Sequence, residues 1–247
     1  MAVGLRVRNQ GTGQIQIGLG YRNLQLAKSG TLDTGSFSGG ATAGSPPFAS
    51  WSPRGLLAST AGTTNLHVIR YINDSVAYIT GFSIVQSGVT CSVFAASNAP
   101  NKTLEFYTFD ATERAASGPV GLRMWGEDGS VFYDSRRKGL RVLQVVPLPP
   151  PPVNTPFVEV GQFFPGTRIG IAIPSPRFYY SSVSQDRCTA SADAFHMTSD
   201  NRIFMSKHET FSQILITNTF PVGGVTMGPQ NATIFIVDLT EVPLGFG

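Results

Sequence analysis

Three histidines, His67, His196 and His208, are the side chains best suited to proton transfer or metal ligation in this chain of 247 residues. His67 alternates with Leu66 and Val68 in a strand-like run, which points it outward from one face rather than into a metal site. The spacing from His196 to His208, with no Cys pair nearby, fits no common zinc pattern. Asp110 and Asp238 both stand before x-Thr-Glu. Paired carboxylates cleave a glycosidic bond only when they face one another in one cleft. Carboxylates related by repetition belong to separate units, so capping of a turn by Asp and Thr accounts for these two. Gly11, Gly13, Gly18 and Gly20 loosely resemble a phosphate loop, but that loop must lead into a helix and here a second strand follows. No Gly-x-Ser-x-Gly elbow occurs. The expectation is a non-enzyme with no catalytic residue, no metal and no cofactor.

The elements that would carry any site are β-strands. Glycine (27) and proline (17) make a turn-rich chain, and the Val, Ile, Thr, Phe and Tyr content favours strands over helices. Hydrophobic residues at 41% support a buried core, while charged residues at 13% are about half the usual share. A net charge of +3 is too small, and too scattered, for a nucleic-acid footprint. The densest basic run, Arg136-Arg137-Lys138, reads as a solvated corner. No signal-peptide core and no membrane span are expected, since no apolar run approaches roughly 18 residues. Cys91 and Cys188 do not correspond between halves and read as two buried free thiols from a reducing cytosol. Without a secretion signal, the Asn-x-Ser/Thr triplets at Asn73, Asn101 and Asn231 are coincidental.

One stretch is used twice. Gly121 to Leu143 reads as a strand, a Glu127-Asp128-Gly129 turn, a second strand, the basic corner, and a third strand. A degenerate copy opens the chain, with Ile15, Ile17, Leu24 and Leu26 aligned on Val131, Tyr133, Leu140 and Val142. Further anchors follow in order: Ile79-Thr80 with Ile216-Thr217, Phe82 with Phe220, and Gly88-Val89-Thr90 with Gly224-Val225-Thr226. Asn101 and the closing strand Phe106–Glu113 match Asn231 and Phe235–Glu241. The fold expected is all-β: two tandem, duplicated antiparallel β-sandwich domains, residues 1–116 and 117–247, each opened by a β-hairpin.

Between these anchors, residues 28–50 are rich in small side chains and read as a long surface loop. Residues 114–120 form the joint between repeats. The proline run within residues 147–152 favours polyproline II and reads as a stiff strap; a ligand for a proline-recognition module is the alternative. Residues 174–212 have little counterpart in the first half and read as an inserted loop region. Its aromatics either form a binding surface or cover an exposed sheet face. Phe178, Tyr179, Tyr180, Phe195, Arg202 and Phe204 are the candidate interaction surface.

The run Gly121-Leu-Arg-Met-Trp-Gly-Glu-Asp-Gly129-Ser-Val-Phe-Tyr-Asp134-Ser135-Arg136 resembles the opening of small tail proteins of tailed bacteriophages. In those a Gly-Leu strand, an Asp-Gly turn and a strand ending in Asp-Ser-Arg begin a β-domain. The first copy has Gly18-Leu-Gly20 where the second has Asp-Ser-Arg. The resemblance implies a structural component of the virion tail, at the tail tip or baseplate, made in the host cytoplasm and without catalytic residues. Its implied partners are other tail proteins and further copies of itself in a ring or trimer. The alternative is a module that binds a host-surface glycan or receptor through residues 174–212.

Overall fold

The computed structural model describes residues 7–8, 15–17, 24–33, 55–59, 66–71, 79–87, 90–97, 103–110, 121–125, 129, 131–149, 158–162, 164–174, 177–184, 187–214, 223–227 and 231–246. Every regular element among them is a strand. In the first half these are β1 (Val7–Arg8), β2 (Ile15–Ile17), β3 (Gln25–Asp33), β4 (Gly55–Ser59), β5 (Leu66–Tyr71), β6 (Ile79–Ser87), β7 (Thr90–Ser97) and β8 (Thr103–Asp110). The second half supplies β9 (Arg123–Trp125), β10 (Val131–Asp134), β11 (Val142–Pro147), β12 (Val158–Glu159) and β13 (Ile169–Ala172). It continues with β14 (Phe178–Ser184), β15 (Arg187–Met197), β16 (Ile203–Ile214), β17 (Gly223–Met227) and β18 (Thr233–Asp238). All their pairings are antiparallel, so the all-β expectation holds. Among the described residues no helix is long and apolar enough to cross a membrane.

Two hairpins stand apart as two-stranded sheets, β1–β2 and β9–β10, where the sequence expects its repeated ribbon. The remaining strands make a six-stranded sheet, ordered β11-β18-β13-β5-β8-β3, and an eight-stranded sheet with the path β12-β16-β15-β6-β7-β4. β14 and β17 extend the latter off that path. Both sheets draw strands from residues 1–116 and from residues 117–247. The halves meet at β5–β13, where Ile69 pairs with Ile171, and at β6–β15, where Thr80 pairs with Ala194. The expected joint at 114–120 lies outside the described residues.

Several loop expectations give way to strands. Residues 28–33 continue β3 instead of opening a loop, and residues 34–54 lie outside the described set. Residues 174–212 are mostly β14, β15 and β16, not an inserted loop. The cause is legible afterwards: the run Thr189-Ala-Ser-Ala-Asp-Ala alternates small with polar side chains, a period of two without bulk. The middle anchors shift as well. Among the described residues β17, which carries Gly224-Val225-Thr226, pairs with β14 alone, and the hairpin seated opposite β6–β7 across the sheet is β15–β16. Ile216, Thr217 and Phe220 lie outside the described residues. Cys91 sits on β7 and Cys188 on β15, their side chains likewise outside the description.

The centre of the six-stranded sheet is buried on both faces, which explains why Ile169-Gly-Ile-Ala172 is buried at every position. One face presents Ile69, Leu104, Ile169, Ile171, Ile234 and Ile236 to Phe195, Met197, Ile203 and Met205 of the eight-stranded sheet. The opposite face gathers Leu26, Val68, Tyr107, Phe109, Val237, Leu239 and Val242. Alternation along β18 serves both: Ile234 and Ile236 enter the first cluster, Val237 the second. Gly170 permits the close approach on the second face, since a Cβ there would lie 2.6 Å from Val68 and 2.7 Å from Leu239.

A polar clamp holds the chain end onto that second face. Arg168 donates through Nη1 to the carbonyls of Leu239 at 3.1 Å and Val242 at 3.0 Å, and through Nη2 to Glu105 at 2.8 Å. Its guanidinium also stacks 5.4 Å from the centroid of the Tyr107 ring, and the Tyr107 hydroxyl donates to the same Glu105 carboxylate at 2.8 Å. Burial, reinforced by the Glu105 carboxylate, pushes the Tyr107 hydroxyl well above the usual phenol range. Downstream, the Ser29 amide donates to Phe246 O at 2.8 Å and the Ser29 hydroxyl to Pro243 O at 2.7 Å, so the tail occupies part of the outer side of β3.

His67 corrects the sequence reading. It is buried on the face that Ile69 shares, with Nδ1 3.0 Å from the Thr108 hydroxyl and no hydrogen-bond partner at Nε2. Burial pulls its pKa from 6.5 down to about 4. The folded protein therefore keeps it neutral while the unfolded chain takes up a proton. Its contribution to stability is present above pH 6.5 and is lost as pH falls towards about 4. Urea titrations at stepped pH values should show a decline of up to about 3 kcal/mol across this window. A His67→Gln variant should flatten that part of the profile; an unchanged slope in the variant would assign the decline elsewhere.

Candidate interaction surface

An isolated two-stranded ribbon is marginal in water, so β9–β10 needs an anchor. Gly129 closes its turn at φ 76°, the conformation that the Asp-Gly pair predicts. The anchor is Asp134, a buried carboxylate at the end of β10. Its Oδ2 accepts from Arg123 Nε at 3.0 Å and Arg136 Nη2 at 2.6 Å, while Oδ1 accepts from the Arg136 amide at 3.0 Å and Arg136 Nε at 2.9 Å. Hydrogen bonds from Arg136 hold its carboxyl far below the usual carboxylate range, although burial opposes them. Ser135 exchanges bonds with the Leu122 backbone, amide to carbonyl at 2.9 Å and hydroxyl from amide at 2.8 Å. Arg136 also crosses Gly121 so closely that a Cβ there would meet Arg136 Cγ at 2.4 Å, which requires glycine.

The same corner ties the hairpin to the six-stranded sheet. Gln25 Nε2 donates to Asp134 O at 3.0 Å, and Arg137 Nη2 donates to Leu26 O at 3.1 Å. Arg137 is buried and lies 3.9 Å from the Asp110 carboxylate. The basic triplet is thus a bolt, not a solvated corner: Lys138 alone of the three is exposed, and it pairs with Glu241 at 3.0 Å. One antiparallel bridge, Gln25 to Gly139, follows, flanked by Leu26 N to Lys138 O and Leu140 N to Leu24 O, both 2.8 Å. β3 and β11 are the two edge strands, so the sheet curls until its edges touch at one end while remaining open beyond.

Large apolar side chains are exposed on either side of this bolt. Leu122 (54% exposed) and Trp125 (56%) stand out on the hairpin, with the Arg123 guanidinium 6.0 Å from the Trp125 ring centroid. Val142 and Val145 (55%) are exposed on the edge strand β11 that follows directly. Large apolar side chains displayed on a rigid ribbon and on an adjacent sheet edge are features that partner-binding surfaces use.

The residues chosen from sequence fare unevenly. Phe178, Tyr179 and Tyr180 form the start of β14 between β15 and β17, and their side chains lie outside the described set. Phe195 is in the core between the two large sheets at 1% exposure, so it offers no surface. Arg202 is exposed and pairs with Asp200 at 3.2 Å and Glu159 at 3.5 Å. Phe204 is half-buried on the outer face beside His196, ring centroids 6.5 Å apart. Of the candidates whose side chains are described, Arg202 and Phe204 stand two residues apart at the start of β16, and Phe195 is interior.

Two functional-looking positions escaped the sequence reading. Arg177 is fully buried; its Nε donates to Asp193 at 2.6 Å and its Nη1 to the carbonyl of Pro149 at 2.9 Å, fastening the start of the proline strap. Leu148 of that strap is buried and donates its amide to Ala232 O at 2.8 Å. Asn201 adopts φ 67° at the β15–β16 turn and donates to the carbonyls of Phe164 at 3.1 Å and Thr167 at 2.7 Å. An Arg preceding an aromatic run and an Asn in a turn carry no signal that separates these roles from ordinary ones. At the other recurring motif, Asp238 Oδ1 accepts from the Thr240 amide at 2.9 Å, the cap expected, whereas Asp110 is buried beside Arg137. Among the described residues no group of three or more His, Cys, Asp or Glu is placed to hold a metal ion.

Removing the Asp134 carboxylate removes its hydrogen bonds to Arg123 and Arg136, so Asp134→Ala should lower unfolding free energy by roughly 2–4 kcal/mol. Urea denaturation followed by Trp fluorescence measures it. Arg177→Ala removes the hydrogen bonds to the buried Asp193 and to the Pro149 carbonyl and should cost roughly 3–5 kcal/mol by the same measurement.

No protein-family model matches this chain, and neither a curated protein nor a solved structure does.

Proposed function

We propose that the chain is a non-enzymatic structural component of a tailed-bacteriophage virion, seated at the tail tip or baseplate, where it packs against other tail proteins and further copies of itself. The observation that carries this reading is the Gly121–Arg136 motif, in which Asp134, Ser135 and Arg136 serve as a bolt for an apolar ribbon. A residue triplet spent on rigidity, beside exposed Leu122, Trp125, Val142 and Val145, suits a part completed by its neighbours. Trp and Arg side by side are the residue types that concentrate binding energy at protein interfaces.

The duplication belongs to the same proposal, in the form of paired halves. Strand order supports it: from either edge of the six-stranded sheet the strands run first, third, second in their own half, β3-β8-β5 and β11-β18-β13. The eight-stranded path repeats the pattern, β4-β7-β6 and β12-β16-β15. Leu24 and Leu140, aligned by sequence, sit against one another at the touching edges. Each half then supplies equivalent strands to shared sheets, together with one two-stranded hairpin of its own.

Light scattering coupled to size exclusion should find the purified protein as an oligomer, and Trp125→Glu should shift it to smaller species with its secondary structure intact. Immunogold labelling of purified particles should place the chain at the distal end of the tail. A monomer that no particle contains would reject the proposal.

A further inference from the structure

The basic corner and the Asp-x-Thr-Glu motif meet in a cleft that the assembly role does not use. The cleft holds about 360 Å³ and is lined by Lys138, Gly139, Arg141, Thr167, Asp238 and Glu241, with Leu143 and Val242 in its apolar part. Two ion pairs lie on its walls, Lys138 with Glu241 at 3.0 Å and Arg141 with Asp238 at 2.9 Å. Asp238 is held from below by the Thr240 amide, and the Thr240 hydroxyl accepts from the Arg168 amide at 3.2 Å. Asp238 and Thr240 are therefore fixed, whereas Lys138, Arg141 and Glu241 extend into solvent.

We propose that this cleft binds a neutral polyhydroxylated ligand, a saccharide unit of one or two rings. Charge selects the class. Two cations face two anions, so the cleft has no net charge to favour an ion of either sign. A hydroxyl suits such a wall because it both donates, to a carboxylate lone pair left over from the ion pair, and accepts, from a spare guanidinium or ammonium N–H. Thr167 also lines the wall.

Shape agrees with charge. Gly139 and Gly166 leave the backbone bare, and a Cβ at either would meet nothing within 4 Å. The apolar surface of Leu143 and Val242 offers a seat for the C–H face of a sugar ring, between polar walls that meet its hydroxyls. The volume falls at the small end of the roughly 300–1,000 Å³ typical of ligand pockets. This inference is independent of the assembly proposal.

The test is saturation-transfer NMR on the intact protein. Its probes are glucose, galactose, mannose, N-acetylglucosamine and their common disaccharides at about 10 mM, above the millimolar affinity expected of an open cleft. Inorganic phosphate and glucosamine serve as anionic and cationic comparators. Saturable binding by at least one neutral sugar is expected, weakened at least about tenfold (about 1.4 kcal/mol) in Gly139→Leu, which fills the cleft, and in Arg141→Ala, which opens one wall. The Arg141 side chain is 74% exposed, so that variant tests the site even if Gly139→Leu fails to fold. Binding by none of the neutral sugars, full binding retained in Arg141→Ala, or displacement of the sugar by phosphate would overturn the proposal.

Discussion

The contact of the two edges of the six-stranded sheet is the constraint on which the rest depends. A twisted sheet of six strands need not bring its first and last strands together. Here one bridge and two flanking hydrogen bonds do so, between residues 24–26 and 138–140. Such a seam is weak as a ladder, and the protein reinforces it with charge: Arg137 reaches the Leu26 carbonyl, Gln25 reaches that of Asp134, and Asp134 gathers Arg123 and Arg136. These bonds form in a desolvated corner, where charge-assisted contacts are strongest and where leaving one unmade is most costly. The hairpin orientation and the cleft beside the seam both follow from it.

Curvature also explains the two cores. A flat sheet would need a further covering layer to bury its second face. The curled sheet wraps Leu26, Tyr107, Phe109 and Val237 on one side and sets Ile69, Ile171 and Ile236 against the second sheet on the other. Arg168 makes the inner side sustainable by satisfying two carbonyls of the chain end and sharing a carboxylate with Tyr107.

Sequence made the hairpins, the Asp-Gly turn, the all-β class and the cap at Asp238 legible, because each depends on residues within a few positions of one another. Strands built from small side chains were not legible: β15 carries Ala190, Ala192 and Ala194 and lacks the bulk by which strands are recognised. Phe195 looked like surface because aromatic runs in a presumed loop suggest binding; its register opposite Met205 turns it into the core. The roles of Arg137, Arg177 and His67 were hidden for a common reason. A polar residue is buried by partners distant in sequence, such as Leu26, Pro149 and Thr108, and local pattern does not name them.

The pairing of β5 with β13, and of β6 with β15, bears on synthesis at the ribosome. When residues up to 116 have emerged, β5 and β6 have no strand on one side, and their open backbone is a template for any neighbouring nascent chain. The gap closes only after residues 169–197 follow, so the polypeptide passes through an interval in which intermolecular pairing competes with its own completion. Slower elongation lengthens that interval, and crowded translation of one message raises the concentration of competing edges. Yield of native protein should therefore depend on translation rate and on chaperones that shield extended backbone.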